Sequence, residues 1–132
     1  MIVRCVANSL DYISDKELLH QVRQGVHGDN VTIEVGRLYC VYGMSLSSGI
    51  PLYLLCENER DWYPVPHYAV FFEVVDNTLP SDWVYVEDSY NLGRYALLPK
   101  AWASDPCFLE KLVDGDLMAV AAFSDIKENY GR

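Results

Sequence analysis

Acidic and aromatic side chains crowd around one charged turn of the sequence. The run 57–61, Glu-Asn-Glu-Arg-Asp, leads directly into Trp62 and Tyr63. Carboxylates two residues apart could act as an acid and a base, but on a turn they are more often solvated charge or helix caps. Large aromatics rimmed by acids are instead typical of a surface that contacts a basic protein.

A second stretch repeats this pattern on a predicted strand, where Trp83, Tyr85 and Glu87 would share one face and two valines the core face. The predicted partner-binding set is Glu57, Glu59, Asp61, Trp62, Tyr63, Asp82, Trp83, Tyr85, Glu87 and Asp88, with Tyr90 beside it. The acids could equally be solvated charges on turns without a binding role. Trp62 and Trp83 could be core residues, since large aromatics dominate cores. The sequence leaves both interpretations open.

Catalytic and metal-binding templates are missing from the chain. It has no glycine-rich phosphate loop, no nucleophile elbow and no His-Glu-x-x-His motif. Cys107 with His67 as its base is one conceivable nucleophilic pair, but a buried structural cysteine is the commoner case. Cys5, Cys40, Cys56 and Cys107 lack the close spacing of metal ligands. We therefore predict reduced cysteines, no metal or other cofactor, and no enzymatic activity.

Net charge narrows the class of partner. The chain has 19 Asp and Glu against 10 Lys and Arg, a formal charge of −9. This balance disfavours nucleic acid and anionic membrane surfaces as partners, and it leaves ordinary solubilising charge or a basic protein partner. No apolar run before Asp11 is long enough for a signal peptide, and glycine, serine and proline interrupt the uncharged segment Leu38–Cys56. We predict a cytoplasmic protein; its oligomeric state is not encoded in any recognisable pattern.

The elements that must position these residues follow from periodicity. The 132 residues predict a single domain, 1–132, which is β-rich over 1–98 and helical over 99–128. A polar loop is expected at 26–30 and a hairpin turn at Ser45–Pro51. The predicted strands are Ile2–Ala7 at a sheet edge, Val31–Val35, Leu38–Met44, Leu52–Glu57, Ala69–Val75, Trp83–Glu87 and Tyr95–Leu98.

Capping residues define the predicted helices. Ser14 or Asp15 would cap a helix that ends near Gln24, and Pro99 would open a turn of helix. Asp105, followed by proline, and Asp116 would cap two further helices, the last of which frays from residue 128. Strands followed by helices predict an α+β fold, a small SH3-like antiparallel β-barrel or strongly curved sheet with C-terminal helices packed on it.

Several segments carry a resemblance to a known family. These are 35–43 (VGRLYCVYG), 53–56 (YLLC), the two prolines at 64 and 66 before 71–76 (FFEVVD), and 105–116 (DPCFLEKLVDGD). From about Thr32 to Phe123 the chain resembles a family of small uncharacterised bacterial proteins, some of which look like immunity proteins of toxin systems. These motifs are turns and strands, so the resemblance supplies no functional residues.

The resemblance implies a cytoplasmic immunity-type protein that neutralises a cognate bacterial toxin, such as a basic nuclease, by stoichiometric binding. The alternative is an SH3-like module that binds a small ligand or peptide. Its groove would be formed by Trp62, Tyr63 and the bend at Pro64 and Pro66. An enzyme ranks third.

Overall fold

The computed structural model describes residues 1–25, 32–89 and 92–130. Strands precede residue 100 and most of the helical structure follows it. The strands are β1 Ile2–Cys5, β2 Leu38–Cys40, β3 Gly43–Ser47, β4 Ile50–Leu55, β5 Val65–Tyr68, β6 Phe72–Asp76, β7 Trp83–Ser89 and β8 Gly93–Pro99. The helices are α1 Lys16–Gly25, α2 Lys100–Ala103, α3 Phe108–Val113 and α4 Leu117–Tyr130, with single 3-10 turns at Leu10–Tyr12 and Ala69–Phe71.

Two antiparallel sheets confirm the α+β class. Their strand orders are β2-β1-β6 and β5-β4-β3-β8-β7, and the described strands do not close into a barrel. The prediction that the first strand lies at an edge is wrong, because β1 is central in its sheet. Arg4 is tolerated there because its side chain reaches solvent and pairs with Glu73 at 2.8 Å.

The predicted hairpin exists, but its boundaries differ. The predicted strand Leu38–Met44 is divided between β2 and β3, which belong to different sheets. The turn is only Ser48 and Gly49, with φ of 52° and 79°. Two consecutive positive φ values suit a tight hairpin because they match the right-handed twist of the flanking strands.

The strand predicted at Val31–Val35 is not present in its described part, Thr32–Val35. The backbone donors of this segment bond elsewhere: the Glu34 N–H donates to the Tyr39 hydroxyl at 2.9 Å, and the Gly36 N–H to the Cys5 carbonyl at 2.8 Å. Gly36 has a φ of 90°, which bends the chain away from an extended path. The loop predicted at 26–30 lies outside the described residues.

The predicted single strand Ala69–Val75 is also divided. A 3-10 turn at Ala69–Phe71 separates β5, at the edge of the five-stranded sheet, from β6 in the other sheet. Pro66 lies within β5, where an edge position tolerates a residue that lacks a backbone donor. Alternation in β4 shows how the five-stranded sheet is buried, because Tyr53 and Leu55 enter one core cluster and Leu54 the other.

The two clusters lie on opposite faces of the five-stranded sheet. The first lies against β1, β2 and α1; the second contains Trp102, Phe108, Leu112, Phe123 and Ile126 of the C-terminal helices. A glycine at position 43 is required for close approach, because an added Cβ would lie 2.9 Å from a Leu54 methyl and 3.1 Å from the Leu97 carbonyl oxygen.

Two predicted helix caps are confirmed, because the carboxylates of Asp15 and Asp116 accept backbone N–H groups two or three residues ahead at 3.0–3.2 Å. The cap predicted at Asp105 is wrong: α3 begins at Phe108, its N-cap is Cys107, and the Asp105 carboxylate accepts the Cys107 N–H before the helix starts. The predicted fraying is wrong as far as Tyr130, because α4 extends to this residue and its ring stacks on Tyr42 at 6.3 Å. Over the described ranges, we find no helix with the length and apolar character that a bilayer crossing requires.

Candidate functional site

The charged turn between β4 and β5 is tied to the last helix. We call residues 57–63 the Trp62 turn. The Asn58 N–H donates to the Asp61 carboxylate at 3.1 Å, and the Asp61 N–H donates back to the Asn58 carbonyl at 3.1 Å. Lys127 of α4 donates to the Asp61 carbonyl at 2.9 Å and also to the Glu59 carbonyl. The turn is therefore held from two sides.

Trp62 is fixed in direction without being buried. Half of the residue is exposed (50%), yet its Nε1–H donates to the Leu112 carbonyl at the end of α3, at 2.9 Å. Its ring meets that of Tyr63 edge to face, with centroids 5.7 Å apart and planes at 72°. Tyr63 is half-buried and packs on the second cluster. The pair therefore presents two nearly perpendicular aromatic rings at the surface.

A surface hollow of about 270 Å³ opens beside these rings. Its lining consists of Glu57, Asn58, Asp61, Trp62, Tyr63 and Val65. Four of the predicted site residues thus share one concave surface that combines two carboxylates with two aromatic rings. Glu59 is exposed on the same turn and does not line this hollow.

A buried histidine lies behind Glu57, outside the lining of the hollow. His67 is 6% exposed, and its Nε2 lies 3.4 Å from a Glu57 carboxylate oxygen without a hydrogen bond. Burial lowers the pKa of His67 from its ordinary value of 6.5, and Glu57 opposes this shift only in part. The imidazole is therefore neutral at pH 7 and does not cancel the charge of Glu57, which also accepts a hydrogen bond from Thr32.

The carboxylates of the hollow form no salt bridge with lysine or arginine in the described part of the chain. Within the described ranges, no lysine or arginine nitrogen lies at ion-pair distance from the Glu57 or Asp61 carboxylate. Lys127, the nearest cation by its hydrogen bonds, binds backbone carbonyl groups of the turn and not these side chains. The hollow is thus an electronegative site with aromatic walls.

The β7 part of the predicted set has a different setting. Trp83 is partly buried and packs on the first core cluster, with its Nε1 inaccessible to solvent. Tyr85, on the same face of the strand, is 57% exposed and stacks on Tyr95 at 6.4 Å with planes 12° apart. Its hydroxyl donates to Glu87 at 3.0 Å. One face of β7 thus changes from core to surface along its length.

The valines of β7 show the same mixture. Val86 packs on the second core cluster, as predicted for a core face, whereas Val84 is 37% exposed. The prediction of a valine core face is therefore right for Val86 and wrong for Val84. Edge position explains this, because β7 has only β8 as a neighbour in its sheet.

The structure separates the two halves of the predicted surface. β5, which follows the Trp62 turn, and β7 are opposite edges of the five-stranded sheet, so four strand spacings of about 4.8 Å each lie between them. Tyr85 and Glu87 are therefore not brought beside Trp62. Asp82 instead contacts the end of α4, because its carboxylate accepts a hydrogen bond from the Tyr130 hydroxyl. Asp88 contributes backbone to β7, its side chain is outside the described part, and so is Tyr90.

The cysteines form no thiol site with His67. Cys107 is exposed just before α3, while His67 is buried and faces Phe72 and Glu57. Burial raises the pKa of Cys56 to about 12 and also raises that of Cys40, so neither thiol is a ready nucleophile. Among the described residues, no group of three or more histidine, cysteine or acidic side chains could hold a metal.

Sequence reasoning missed the contacts that hold this site. Lys127 and the Leu112 carbonyl are 66 and 50 residues away from their partners in the turn. No periodicity encodes such pairings, although a tryptophan beside a charged turn signals that its N–H needs an acceptor. No known protein family, curated protein or solved structure matches the chain. The resemblance to immunity-type proteins therefore remains a prediction.

Proposed function

We propose that this chain is an immunity-type binding protein that neutralises a cognate bacterial toxin, a basic protein such as a nuclease, by stoichiometric binding in the cytoplasm. The observation that carries the proposal is Trp62, half-exposed yet held by its bond to the Leu112 carbonyl. A large aromatic whose rotamer is already fixed loses little entropy on binding, which is the property of an interface anchor.

Exposed apolar side chains also lie at the corner between α3 and α4. Val113 directly follows the residue that Trp62 bonds, and it is 50% exposed. Leu117 and Met118 are almost fully exposed to solvent, at 86% and 84%. Exposed apolar residues around an aromatic anchor are typical of the core of an interface.

Acids surround this apolar surface and select the charge of the partner. Glu59 is exposed on the Trp62 turn, and Asp114 and Asp116 flank the corner, also exposed. With a net charge of −9, the chain attracts a basic protein over a distance of about a Debye length and accelerates encounter. A nuclease cleft, built to hold phosphates, is a partner of this kind.

The test is neutralisation of a defined toxin. The basic toxin encoded beside this gene would be produced in a host with and without the chain, and the purified proteins would be mixed. We expect rescued growth and a one-to-one complex. The absence of a basic toxin gene, or a toxin that stays active with the chain in molar excess, would contradict the proposal.

The variant Trp62→Ala sharpens this test, with Tyr12→Ala as the matched control, because Tyr12 is 55% exposed outside the proposed surface. Rescue should fail with the first variant and persist with the second. Equal rescue by both would remove Trp62 from the interface.

A second candidate is the SH3-like module that binds a small ligand or a peptide, with its groove on the sheet and not at the predicted bend of Pro64 and Pro66. The observation in its favour is an apolar groove of about 340 Å³ on the five-stranded sheet. Its lining is Met44, Ser45, Leu46, Pro51, Tyr85, Tyr95, Ala96 and Leu97. On this proposal the five-stranded sheet would serve as the platform for an extended peptide. Binding of a proline-rich peptide that competes with no toxin would favour it.

A further inference from the structure

Two hollows flank Trp62, and their charges differ. The one on the β5 side is lined by Glu57 and Asp61 and contains no basic side chain. The one on the α4 side, about 420 Å³, has Arg60 and Lys127 as well as two acids in its lining. Only the first hollow has the electrostatics to hold an added cation without opposing charges in its wall.

We propose that the hollow formed by Glu57, Asp61, Trp62 and Tyr63 binds one arginine side chain of the protein partner. This inference rests on the proposed function and specifies the group that the partner inserts. The two aromatic rings, 72° apart, supply a face and an edge for a flat cation, and the carboxylates accept its N–H groups.

Arginine fits these groups better than lysine does. Its guanidinium stacks on an aromatic face while its N–H groups reach two acceptors in fixed directions. Glu57 and Asp61 are acceptors already oriented by the protein, through Thr32 and through the Asn58 N–H respectively. Lysine, a strongly hydrated point charge, would lose more hydration for fewer directed bonds.

Behind Glu57 lies the Nε2 of His67, which is not part of the lining of the hollow. This buried nitrogen lies 3.4 Å from Glu57 and makes no hydrogen bond. A neutral imidazole at this distance leaves the Glu57 carboxylate without a cationic partner, so the carboxylate can accept N–H groups from a guanidinium on its exposed side.

The experiment titrates the isolated chain with N-acetyl-arginine methylamide while indole N–H resonances are recorded by NMR. The chain has three tryptophans, so Trp83 and Trp102 serve as internal controls. The matched probes are the lysine analogue and the neutral citrulline analogue at equal ionic strength. We expect a saturable shift of the Trp62 indole with arginine, a weaker one with lysine and none with citrulline.

Conservative variants test the groups one at a time. Glu57→Gln and Asp61→Asn keep the local hydrogen-bond acceptors and remove the charge, so each should weaken binding of the arginine probe severalfold. Trp62→Phe keeps a ring but loses the bond to Leu112, and its binding, followed through the Tyr63 amide, should fall less than in Trp62→Leu. Glu110→Gln, an exposed acid outside the hollow, should change nothing.

Each outcome bears on the inference separately from the proposed function. No Trp62 shift at the highest soluble arginine concentration, or an equal shift with citrulline, overturns the inference and leaves toxin neutralisation to be judged by its own test. If arginine binds but Glu57→Gln and Asp61→Asn leave the toxin complex unchanged, the hollow binds a free small cation and the assignment to a partner's side chain is wrong. A parallel loss of arginine binding and toxin affinity supports it.

Discussion

The Trp62 turn and the β7 edge carry the same kinds of residues in different settings. At the turn, distant groups hold the aromatic and the backbone, since Trp62 bonds α3 and Lys127 of α4 bonds two turn carbonyls. At β7, Tyr85 bonds Glu87 two residues away and stacks on the neighbouring strand. Composition alone therefore identifies a candidate surface, whereas long-range contacts hold its side chains in a fixed arrangement before binding.

Removal of residues 99–132 should have the largest effect. This truncation exposes the second core cluster, because Trp102, Phe108, Leu112 and Phe123 all come from the helices. It also removes both anchors of the Trp62 turn. We expect loss of cooperative unfolding, measured by circular dichroism during urea titration. A folded fragment 1–98 would contradict this and would make the helices an accessory.

Replacement of Trp83 and of Trp62 by alanine should lower the free energy of unfolding by different amounts. Trp83→Ala removes a partly buried ring from the first cluster and should lower the free energy of unfolding by about 3 kcal/mol. Trp62→Ala loses one hydrogen bond and a half-exposed ring, so we expect about 1.5 kcal/mol. Urea unfolding measures both. A larger loss for Trp62 would make it a core residue and weaken its assignment as an anchor.

Loss of the Lys127 ammonium should loosen the turn and leave β7 unchanged. Lys127→Met keeps apolar packing near Phe123 and removes two hydrogen bonds to turn carbonyls, at a cost of about 1 kcal/mol. Hydrogen exchange of the Asp61 amide should become faster, while the amides of β7 keep their protection. Lys100→Met, an exposed control, should alter neither. Equal protection of the turn in Lys127→Met would show that α4 does not hold it.

The pH dependence of stability should report on His67, with the smallest effect of this series. Because burial lowers the pKa of His67 in the folded state below 6.5, the unfolded chain binds the proton more readily. The stability that neutral His67 contributes is present above pH 6.5 and is lost as the pH falls through the folded pKa. Urea unfolding of the wild type and His67→Gln, compared from about pH 7.5 to pH 5, isolates this residue. Identical pH profiles would contradict a shifted His67.

Local patterns predicted much of the architecture. Caps at Asp15 and Asp116 were recognisable because a side-chain acceptor at a helix start is a local signal. Predicted strand boundaries were wrong where tertiary contacts decide them. The sequence of β2 and β3 is one apolar run, yet the chain passes from one sheet to the other at Val41 and Tyr42. Whether a strand lies at the edge or in the centre of its sheet is likewise not a local property. For this reason β1 was wrongly predicted to be an edge strand.

The candidate site was predictable in part for the same reason. The acids and aromatics of the Trp62 turn are contiguous in sequence, and they do share a hollow. The β7 residues were joined to them by composition alone, although strand order separates them. Lys127, Leu112 and Thr32 reach the turn from distant segments, which no pattern within a window of ten or twenty residues can register.

The most direct test of the account measures association of the toxin with charge-reversed variants by stopped flow. Glu57, Glu59 and Asp61 would be reversed to lysine together, and a control would reverse the exposed acids Asp11, Glu110 and Asp125. Both variants change net charge equally, so a difference reports position and not total charge. We predict at least a tenfold slower association at low salt and a flatter salt dependence for the first variant only. Equal rates for the two variants would contradict the claim that the Trp62 turn receives a basic partner.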